Sequence, residues 1–383
     1  DYPRSLESAY APQQQMKPRT LGQITEACSG RLENGDPGTL VTGISTDTRQ
    51  LRPGDLFVAL KGETHDGHQF VEAACQRGAV ALLVSQAVTV DCAVIRTDDT
   101  LLAYGRLGAM ARKESDATFF AVTGSAGKTT TKDMLGSIVT LAGSALVAPG
   151  TENNEIGVPR LLLALEPTHQ YCVLELAMRG PGEIGYLAGL CQPHIGVITN
   201  VGEAHVGRLG GREAIAKAKA ELLAALPPDG HAVLNADDFF FGLFKEMAPC
   251  PVASFGFSDQ PAEVSLHATA ENLQAKGVDP ASFRLRIGTE RVAVRLRVPG
   301  RHNVANALAA AAAARAAGIT MDTIAAGLEA FSGSEMRSQV LRAPGGYTVI
   351  NDAYNASPSS VAEALGMLAG CPGRKVLVFG DML

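Results

Sequence analysis

The stretch TFFAVTGSAGKTT, residues 118–130, decides the fold of this 383-residue chain. Its first part is an apolar run that predicts a buried strand, and after a glycine-rich turn the residues from Lys128 onward predict a helix. At such a junction, backbone N–H groups and the helix N-terminus can hold an anion, while Lys128 reaches terminal phosphates and Thr129 binds Mg²⁺. Val122 stands where the full GxxxxGK[ST] pattern has its first glycine. The stretch therefore predicts a phosphate-binding loop, with an ordinary strand-to-helix turn as the alternative.

Strands and helices alternate on both sides of this loop. Strands predicted at 171–176 and 194–199, separated by helical stretches, indicate a largely parallel sheet with its ligand site at the carboxyl ends of the strands. Shorter elements alternate from Leu21 to about Ser115. After an alanine-rich helix, the pattern predicts a strand, a helix and a second strand at 375–379. We expect an α/β protein with three domains.

The expected domain boundaries follow from these changes of pattern. Residues 1–17 form an extra N-terminal segment without regular structure, and 18–115 form a small α/β domain. The central domain spans 116–332, and 333–383 begin a third domain. A doubly wound domain has more than two strands, so we expect this third domain to be incomplete.

The composition excludes several classes of protein. The 33 Lys and Arg residues against 39 Asp and Glu residues give a net charge of −6, which offers no basic surface for nucleic acid. No apolar run approaches the ~20 residues that a membrane-spanning helix needs, and the polar start lacks a signal peptide. The seven cysteines form no CxxC pair, so we expect reduced thiols. These features predict a cytoplasmic protein that acts on small molecules.

Two further residues are candidates for binding the metal. Glu175 ends the strand after the loop, where a carboxylate is well placed to bind Mg²⁺. The alternative is a solvated strand end. His205 follows another strand, in a glycine-rich loop. A single histidine is often structural, so its role stays open at this point.

Helical periodicity predicts a buried lysine. At 100° per residue, Ile215, Lys219, Leu222 and Leu226 share one face of a helix, whereas Lys217 lies on the opposite, solvated face. An unpaired buried ammonium is costly, so the Lys219 side chain must reach solvent, find a partner or lose its charge. A neutral amine can add carbon dioxide and become a carbamate, which binds Mg²⁺. The periodicity alone leaves these alternatives open.

Two polar residues follow the alanine-rich helix. Arg337 could neutralise a phosphate, and Asp352 at a strand end could accept a hydrogen bond from a ribose hydroxyl. A surface salt bridge is the alternative for each.

Taken together, eight segments resemble the Mur ligases, which are ATP-dependent amide-forming enzymes of peptidoglycan precursor synthesis. In order along the chain they are TGSAGKTT at 123, ENNEIGVP at 152, LELAMRGPGEIGYLAGL at 174, ITNVGEAHVGRLG at 198, AIAKAKAELL at 214, GRHNVANALAA at 300, MRSQV at 336 and INDAYNASPSSV at 350. The combination of NNEIGVP, AMRGPGEI and NDAYNASP is most similar to the branch that adds D-alanyl-D-alanine to UDP-N-acetylmuramoyl-tripeptide.

The resemblance implies a fold and a set of site residues. The fold has a small N-terminal UDP-binding α/β domain, a central P-loop ATPase domain with a mostly parallel sheet, and a Rossmann-like C-terminal domain. The implied catalytic residues are Lys128, Glu175, His205 and Lys219, and the magnesium ligands are Thr129, Glu175, His205 and Lys219 as a carbamate. The implied ATP contacts are Gly124, Ser125, Ala126, Gly127, Lys128, Thr129, Thr130, Asn306, Arg337, Asp352, Tyr354 and Asn355. The implied contacts to the UDP-substrate are Ser45, Thr46, Asp47, Arg49, Asp66 and His68, with Asn154 and Arg179 toward the muramoyl portion.

The implied reaction joins two small molecules, through an acyl phosphate, at the expense of ATP. We expect a monomer with no nucleic-acid partner and no membrane insertion, and weak or absent ligation by this chain alone, because its third domain is incomplete. The related ligase that adds a diamino acid or lysine to the muramoyl dipeptide is one alternative. A folate polyglutamylating enzyme is disfavoured because over 100 residues precede the loop. A non-catalytic nucleotide-binding regulator is the third alternative, and the joint presence of the four catalytic candidates speaks against it.

Overall fold

A computed structural model describes residues 16–62, 65–202, 210–261 and 263–380. The strands are β1 Arg19–Thr20, β2 Arg31–Asn34, β3 Leu40–Val41, β4 Gly43–Ser45, β5 Asp55–Val58, β6 Ala81–Val84, β7 Ala93–Arg96, β8 Thr118–Thr123, β9 Ala145–Val147, β10 Tyr171–Glu175, β11 Ile195–Ile198, β12 His231–Asn235, β13 Val252–Phe255, β14 Leu266–Gln274, β15 Ser282–Ile287, β16 Glu290–Arg295, β17 Gln339–Arg342 and β18 Thr348–Asn351.

The helices alternate with these strands. They are α1 Leu21–Ala27, α2 Val71–Gln76, α3 Thr100–Lys113, α4 Lys128–Ala142, α5 Gly157–Leu163, α6 Glu183–Cys191, α7 Arg212–Ala224, α8 Phe241–Met247, α9 Arg301–Ala316, α10 Met321–Ala330 and α11 Pro358–Ala369, with a 3₁₀ helix at Gly67–Phe70. The expected α/β class is confirmed. Among the described residues, no helix is both long and apolar enough to cross a bilayer.

The chain forms two compact units, which are residues 1–116 with 154–168, and residues 117–153 with 169–383. The first unit therefore consists of two separate stretches of the chain, whereas the boundaries expected from the sequence assign each domain one continuous stretch. Of the extra N-terminal segment, residues 1–15 lie outside the described residues, and Met16 is buried in the core of the first unit. The three-domain division itself stays a prediction.

The first unit contains a five-stranded sheet in the order β2-β7-β6-β5-β4, in which only the β2–β7 pair is antiparallel. Strands β5 and β6 are buried along their whole length, as expected for continuous apolar runs covered on both faces. One core lies against α1 and α3, and a second lies against α2. This sheet carries the segments from which the sequence predicted substrate contacts.

One cysteine pair contradicts the expectation of reduced thiols. Cys75 and Cys92 form a disulfide within the first unit, with their Cα atoms 6.0 Å apart. The other five cysteines lie outside this disulfide. Sequence reasoning was wrong about this pair because the two residues are brought together by the packing of α2 against the approach to β7, and no local spacing motif marks them.

The second unit contains a nine-stranded sheet in the order β9-β10-β8-β11-β12-β13-β14-β15-β16. The strands from β9 to β14 are parallel to their neighbours, and β14, β15 and β16 form antiparallel pairs. Helix α9 carries an alanine run whose side chains are fully buried, and small side chains allow it to pack closely against the sheet. The mostly parallel central sheet is confirmed.

Strand β8 lies between β10 and β11, so the order of the strands reverses around it. Glu175 at the end of β10 pairs with Val122, and Ile198 at the end of β11 pairs with Thr123. In parallel sheets, such a reversal opens a crevice at the carboxyl ends of the strands. The register therefore brings the glycine-rich turn, Glu175 and the residues after Ile198 to one edge of the sheet.

The segment after α10 forms a β17–β18 hairpin followed by α11. The expected helix from about Pro358 is confirmed, but the expected strand at 375–379 is not formed. Val378 is 91% exposed, and no described strand pairs with this segment. An apolar run becomes a strand only when a neighbouring strand satisfies its backbone groups, so composition alone predicted wrongly here.

Candidate active site

Two glycines shape the turn between β8 and α4. Gly127 has φ +78° and precedes the first helical residue, Lys128. A Cβ atom on Gly127 would collide with Asn306 Oδ1, and one on Gly124 would collide with Thr199 Oγ1. The turn therefore needs glycine for both its conformation and its close neighbours.

The end of β11 holds this turn in place. The Thr199 hydroxyl donates to the carbonyl of Ala126 at 2.6 Å, and Asn200 Nδ2 donates to the same oxygen at 3.1 Å. In return, Asn200 accepts hydrogen bonds from the backbone N–H groups of Ala126 (2.9 Å, at Oδ1) and Ser125 (3.0 Å, at the carbonyl). Sequence reasoning assigned no role to Thr199 or Asn200, although they lie at the end of a predicted strand.

The turn carries two polar side chains, Lys128 and Ser125. The Lys128 ammonium donates to the carbonyl of Gly124 at 3.0 Å. Burial lowers its pKa, with Glu175 opposing and Arg337 adding to the decrease. The Ser125 Oγ atom is buried and has no hydrogen-bond partner among the described residues. A buried orphan hydroxyl beside a cation fits an anionic ligand with several oxygen acceptors.

Both carboxylate oxygens of Glu175 are held by hydrogen bonds. The Thr129 hydroxyl donates to Oε2 at 2.7 Å, and Asn153 Nδ2 donates to Oε1 at 2.8 Å. Glu175 is 1% exposed. Sequence reasoning missed Asn153 and selected its neighbour Asn154. The Asn154 side chain accepts from the backbone N–H of Gly157, the first residue of α5, at 2.9 Å.

The expected burial of Lys219 is confirmed. Lys219 is 3% exposed, whereas Lys217 on the same helix is exposed. Burial, together with the positive charge of Lys128, holds the pKa of Lys219 well below its usual value. The same helix is fixed by Glu221, which accepts from the backbone N–H groups of Gly182 at 2.7 Å and Gly185 at 2.9 Å. The amine of Lys219 is therefore in an environment that favours its neutral form.

The residues expected at a magnesium site are only partly described. Thr129 and Glu175 are in contact, and hydroxyl and carboxylate oxygens are the donors that Mg²⁺ prefers. His205 lies outside the described residues. Within 16–62, 65–202, 210–261 and 263–380, no group of three or more His, Cys, Asp or Glu residues could hold a metal ion. The donor set fits magnesium if the nucleotide and water supply the remaining oxygens.

A cleft of about 650 Å³ opens in front of the turn. Residues of the turn line it together with later residues that the sequence predicted as ATP contacts, which are Asn306, Arg337, Asp352, Tyr354 and Asn355. Within it, the Arg337 guanidinium lies 4.1 Å from the centre of the Tyr354 ring. Asp352 Oδ1 accepts from the backbone N–H of Ser338 at 2.7 Å. The structure thus brings together residues that are over 200 positions apart in the chain.

The cleft also contains a stacked pair that sequence reasoning missed. The Arg301 guanidinium lies 3.7 Å from the centre of the Phe257 ring, and both residues line the cleft. The flat faces of an aromatic ring and of a guanidinium group can stack against a planar ring of a ligand. The sequence contains only weak indications of this pair. Arg301 precedes the alanine run and Phe257 ends the segment FGF at 255–257, and nothing in their spacing predicts that they are in contact.

The candidate residues of the first unit are hydrogen-bonded to one another. The Arg49 guanidinium donates a hydrogen bond to Asp47 Oδ2 at 2.8 Å, and this lowers the pKa of Asp47. The hydroxyl of Ser45 donates to the carbonyl of Asp47 at 2.8 Å, and Thr46 lies between them at the end of β4. These residues form one polar group at the end of a strand.

A second group in the first unit joins Asp66 to His68. Their side chains are 2.6 Å apart, and the backbone N–H of His68 donates to Asp66 and lowers its pKa. The His68 Nε2 atom accepts from the backbone N–H of Ser85 at 3.0 Å. Arg179, predicted beside Asn154, lies in the second unit and is exposed, and its backbone N–H donates to Glu183 at 2.6 Å.

Two family models match the chain. The Mur ligase middle domain matches residues 122–314, and the catalytic domain of the Mur ligase family matches residues 40–111. The first match covers the glycine-rich turn, Glu175 and Lys219. The second covers the polar groups of the first unit.

Individual relatives agree with these matches. The chain is 39% identical to the UDP-N-acetylmuramoyl-tripeptide--D-alanyl-D-alanine ligase of Escherichia coli K12, over 95% of this chain and 79% of that protein. The crystal structure of MurF from Acinetobacter baumannii is 37% identical, has a TM-score of 0.90, and is matched over 96% of this chain and 80% of its own. The MurF ligase of Thermotoga maritima in complex with ADP is 26% identical with a TM-score of 0.77, over 86% of this chain and 75% of its own. The resemblance seen in the sequence motifs is thereby confirmed, and the chain belongs to the Mur ligase family.

Proposed function

We propose that this protein is an ATP-dependent ligase that adds D-alanyl-D-alanine to UDP-N-acetylmuramoyl-tripeptide in peptidoglycan precursor synthesis. The observation that carries the proposal is the convergence of the half-buried Lys128 with the buried Lys219 and Glu175 at the glycine-rich turn. The name of the E. coli relative supplies the two substrates. The cytoplasm is the proposed location, because nucleotide-linked precursors are made from ATP there.

ATP binds with its phosphates over the turn from Gly124 to Thr130. The Lys128 ammonium and the N-terminus of α4 bind the terminal phosphates, and the orphan hydroxyl of Ser125 donates to a phosphate oxygen. Asn306, Arg337, Asp352, Tyr354 and Asn355 contact the rest of the nucleotide, and the Arg301–Phe257 pair lies against the base.

Thr129, Glu175 and His205 would hold magnesium, and Lys219 would join them once it is modified. When bound, the ion supplies positive charge that offsets the repulsion between the phosphate and an incoming carboxylate. Asn153 and Thr129 fix the orientation of the Glu175 carboxylate before any ligand arrives. Because the Glu175 carboxylate is already oriented, no free energy is needed to order it during the reaction.

Lys219 becomes a carbamate. Its neutral Nζ atom bonds to the carbon of CO₂ and releases one proton, so the side chain changes from a neutral amine to an anion. The low pKa of Lys219 supports this step, because the neutral amine is the reactive form. The negative charge of the carbamate also offsets the positive charge of Lys128.

The UDP-substrate binds to the first unit. Ser45, Thr46, Asp47 and Arg49 form one set of contacts, and Asp66 with His68 forms another. Asn154 and Arg179 contact the muramoyl portion. The division into a UDP-binding domain at 18–115, an ATP-binding domain at 116–332 and a C-terminal domain from 333 follows from these roles, and the protein acts as a monomer.

The reaction has two transfers. A carboxylate oxygen of the tripeptide attacks the γ-phosphorus of ATP, the bond to ADP breaks, and an acyl phosphate forms. The amine of D-alanyl-D-alanine then attacks the acyl carbon, the tetrahedral intermediate loses a proton and phosphate, and an amide remains. Lys128 stabilises the charge that develops on the transferred group. Water must be excluded during the reaction, because it would hydrolyse the acyl phosphate.

The test is phosphate release by the purified full-length protein. We expect release that requires ATP, UDP-N-acetylmuramoyl-tripeptide and D-alanyl-D-alanine together. Release that occurs only with UDP-N-acetylmuramoyl-dipeptide and a diamino acid or lysine would overturn the proposed acceptor. Absence of nucleotide binding by calorimetry would also exclude a regulatory role.

A further inference from the structure

Lys132 is a fully buried cation with no assigned role. It lies on α4, three residues after Thr129, so both side chains project from the same side of the helix. Its exposed fraction is 0%. A charge is kept in such a place only when its partners offset the loss of solvation.

All three donors of the Lys132 ammonium have partners. Nζ donates to the carbonyl of Ala148 at 2.6 Å and to that of Gly150 at 2.9 Å. It also forms an ion pair with Asp133 at 2.7 Å, and Asp133 is itself held by the Ser334 hydroxyl at 2.6 Å. The ammonium therefore binds two carbonyls of one short segment, residues 148–150, that has no regular structure.

This segment leads directly to Asn153. At the start of the segment, the backbone N–H of Ala148 donates to the carbonyl of Val173 at 2.9 Å. Three residues beyond its end, the carbonyl of Asn153 accepts from the backbone N–H of Ala177 at 2.9 Å. Val173 and Ala177 flank Glu175, which receives the Asn153 side chain at 2.8 Å. The position of the Asn153 amide thus depends on how residues 148–150 are held between these two anchors.

One face of α4 therefore controls both oxygens of the Glu175 carboxylate. Thr129 donates to Oε2 directly, and Lys132 acts on Oε1 through residues 148–150 and the Asn153 amide. An apolar side chain in place of Lys132 would leave two buried carbonyls without a donor, and the segment would shift to find new partners.

We propose that Lys132 is a positioning residue for the metal ligand Glu175, acting through residues 148–150 and Asn153. The inference rests on the proposed function, because it takes Glu175 as a magnesium ligand. Residues that orient a metal ligand typically change metal affinity by about 10- to 100-fold when they are removed.

The experiment measures Mn²⁺ binding by electron paramagnetic resonance in the presence of a nonhydrolysable ATP analogue. We expect Lys132→Met to weaken Mn²⁺ binding about tenfold and to raise the Mg²⁺ concentration needed for half-maximal activity by a similar factor. The KM for the UDP-substrate should stay within about twofold, since that substrate contacts other residues. Lys113→Met makes the same chemical change at an exposed lysine and should leave all three values unchanged.

A second variant tests the route of the effect. Asn153→Ala should weaken Mn²⁺ binding as much as Lys132→Met does, and the double variant should be no worse than the more affected single variant. Additive losses, or a folded Lys132→Met protein with wild-type Mn²⁺ affinity, would overturn the proposal. If Lys132→Met does not fold, wild-type Mn²⁺ affinity in Asn153→Ala overturns it and a tenfold loss supports it.

Glu175→Gln separates this proposal from the proposed function. If Glu175→Gln binds Mn²⁺ as well as the wild type, Glu175 is not a metal ligand and the proposed metal site fails. If Glu175→Gln loses binding while Asn153→Ala and Lys132→Met keep it, only the role of Lys132 fails.

Discussion

The first and second units carry polar side chains at the ends of similar parallel strands, but they balance the charges differently. In the first unit, Asp47 is paired with Arg49 and Asp66 with His68. In the second unit, Lys128 is close to the carboxylate of Glu175 and to a second cation, Arg337, and burial together with Lys128 favours the neutral form of Lys219. The cations of the second site are therefore available to an anion, whereas the carboxylates of the first unit already accept hydrogen bonds from neighbouring side chains.

This difference separates binding from chemistry. A group of paired side chains can bind a substrate by exchanging partners, and that contributes to affinity in the ground state and the transition state alike. Unbalanced buried charges act most strongly where new charge develops, which is at the transferred phosphoryl group. Variants of the two units should therefore change different kinetic constants.

The largest effect is expected at the turn of the second unit. Lys128→Met should lower the rate of ATP-dependent phosphate release by at least about 10³-fold, because the cation that stabilises the transferred group is lost. The measurement is kcat in a coupled phosphate-release assay. Lys113→Met is the control and should keep the wild-type kcat. A decrease of less than tenfold in the kcat of Lys128→Met would contradict the assignment of the chemistry to the second unit.

The next effect concerns the modification of Lys219. Lys219→Met should lower kcat by about 10²-fold and should abolish a carbamate carbon signal in ¹³C nuclear magnetic resonance of protein equilibrated with labelled bicarbonate. Because the neutral amine is the form that reacts, the signal should weaken as pH falls through the lowered pKa and the amine becomes protonated. Lys217→Met should keep the signal. A signal that persists in Lys219→Met would place the carbamate elsewhere.

A smaller effect is expected in the first unit. Asp66→Asn removes the carboxylate that holds the His68 ring, and it should raise the KM for the UDP-substrate about five- to tenfold with kcat nearly unchanged. Steady-state kinetics with the UDP-substrate as the varied component is the measurement, with Glu33→Gln as a control at a separate ion pair. If kcat falls instead while KM holds, the first unit takes part in the chemistry.

The smallest effect concerns stability in acid. Two hydrogen bonds from Arg19 lower the pKa of Glu114 from 4.5 to about 2. A carboxyl whose pKa is lower in the folded state stabilises that state above its unfolded pKa and loses this contribution as pH falls from about 4.5 to 2. Glu114 is 39% exposed, so solvent screening limits the contribution to under about 1 kcal/mol.

Urea unfolding of Glu114→Gln at two pH values checks this expectation. The variant should be slightly less stable than the wild type at pH 6, and the two should converge near pH 2. An equal difference at both values would show that packing, not charge, is responsible.

Much of the second site could be predicted from the sequence because its determinants are local. The strand, turn and helix around Lys128 are encoded by an apolar run, glycines and helical residues within one short stretch. The burial of Lys219 follows from its own helical periodicity. For such features, neighbours in the chain are also the neighbours that decide the conformation.

Other residues could not be found in this way. Asn153 and Asn154 look alike in the sequence, yet one contacts Glu175 and the other binds the backbone at the start of α5, and the first contact depends on strand β9 lying beside β10. The Cys75–Cys92 disulfide and the unpaired 375–379 segment were predicted wrongly for the same reason, because each depends on a partner from elsewhere in the chain.

The sequence by itself determined the α/β class, the phosphate-binding turn and the family, since each depends on short motifs and on their order. Only the tertiary structure decided which side chains surround Glu175, which carbonyls Lys132 holds, and how the cations balance. These depend on the order of the strands in the sheet, because hydrogen bonds and charges act over a few ångströms in space and not along the chain.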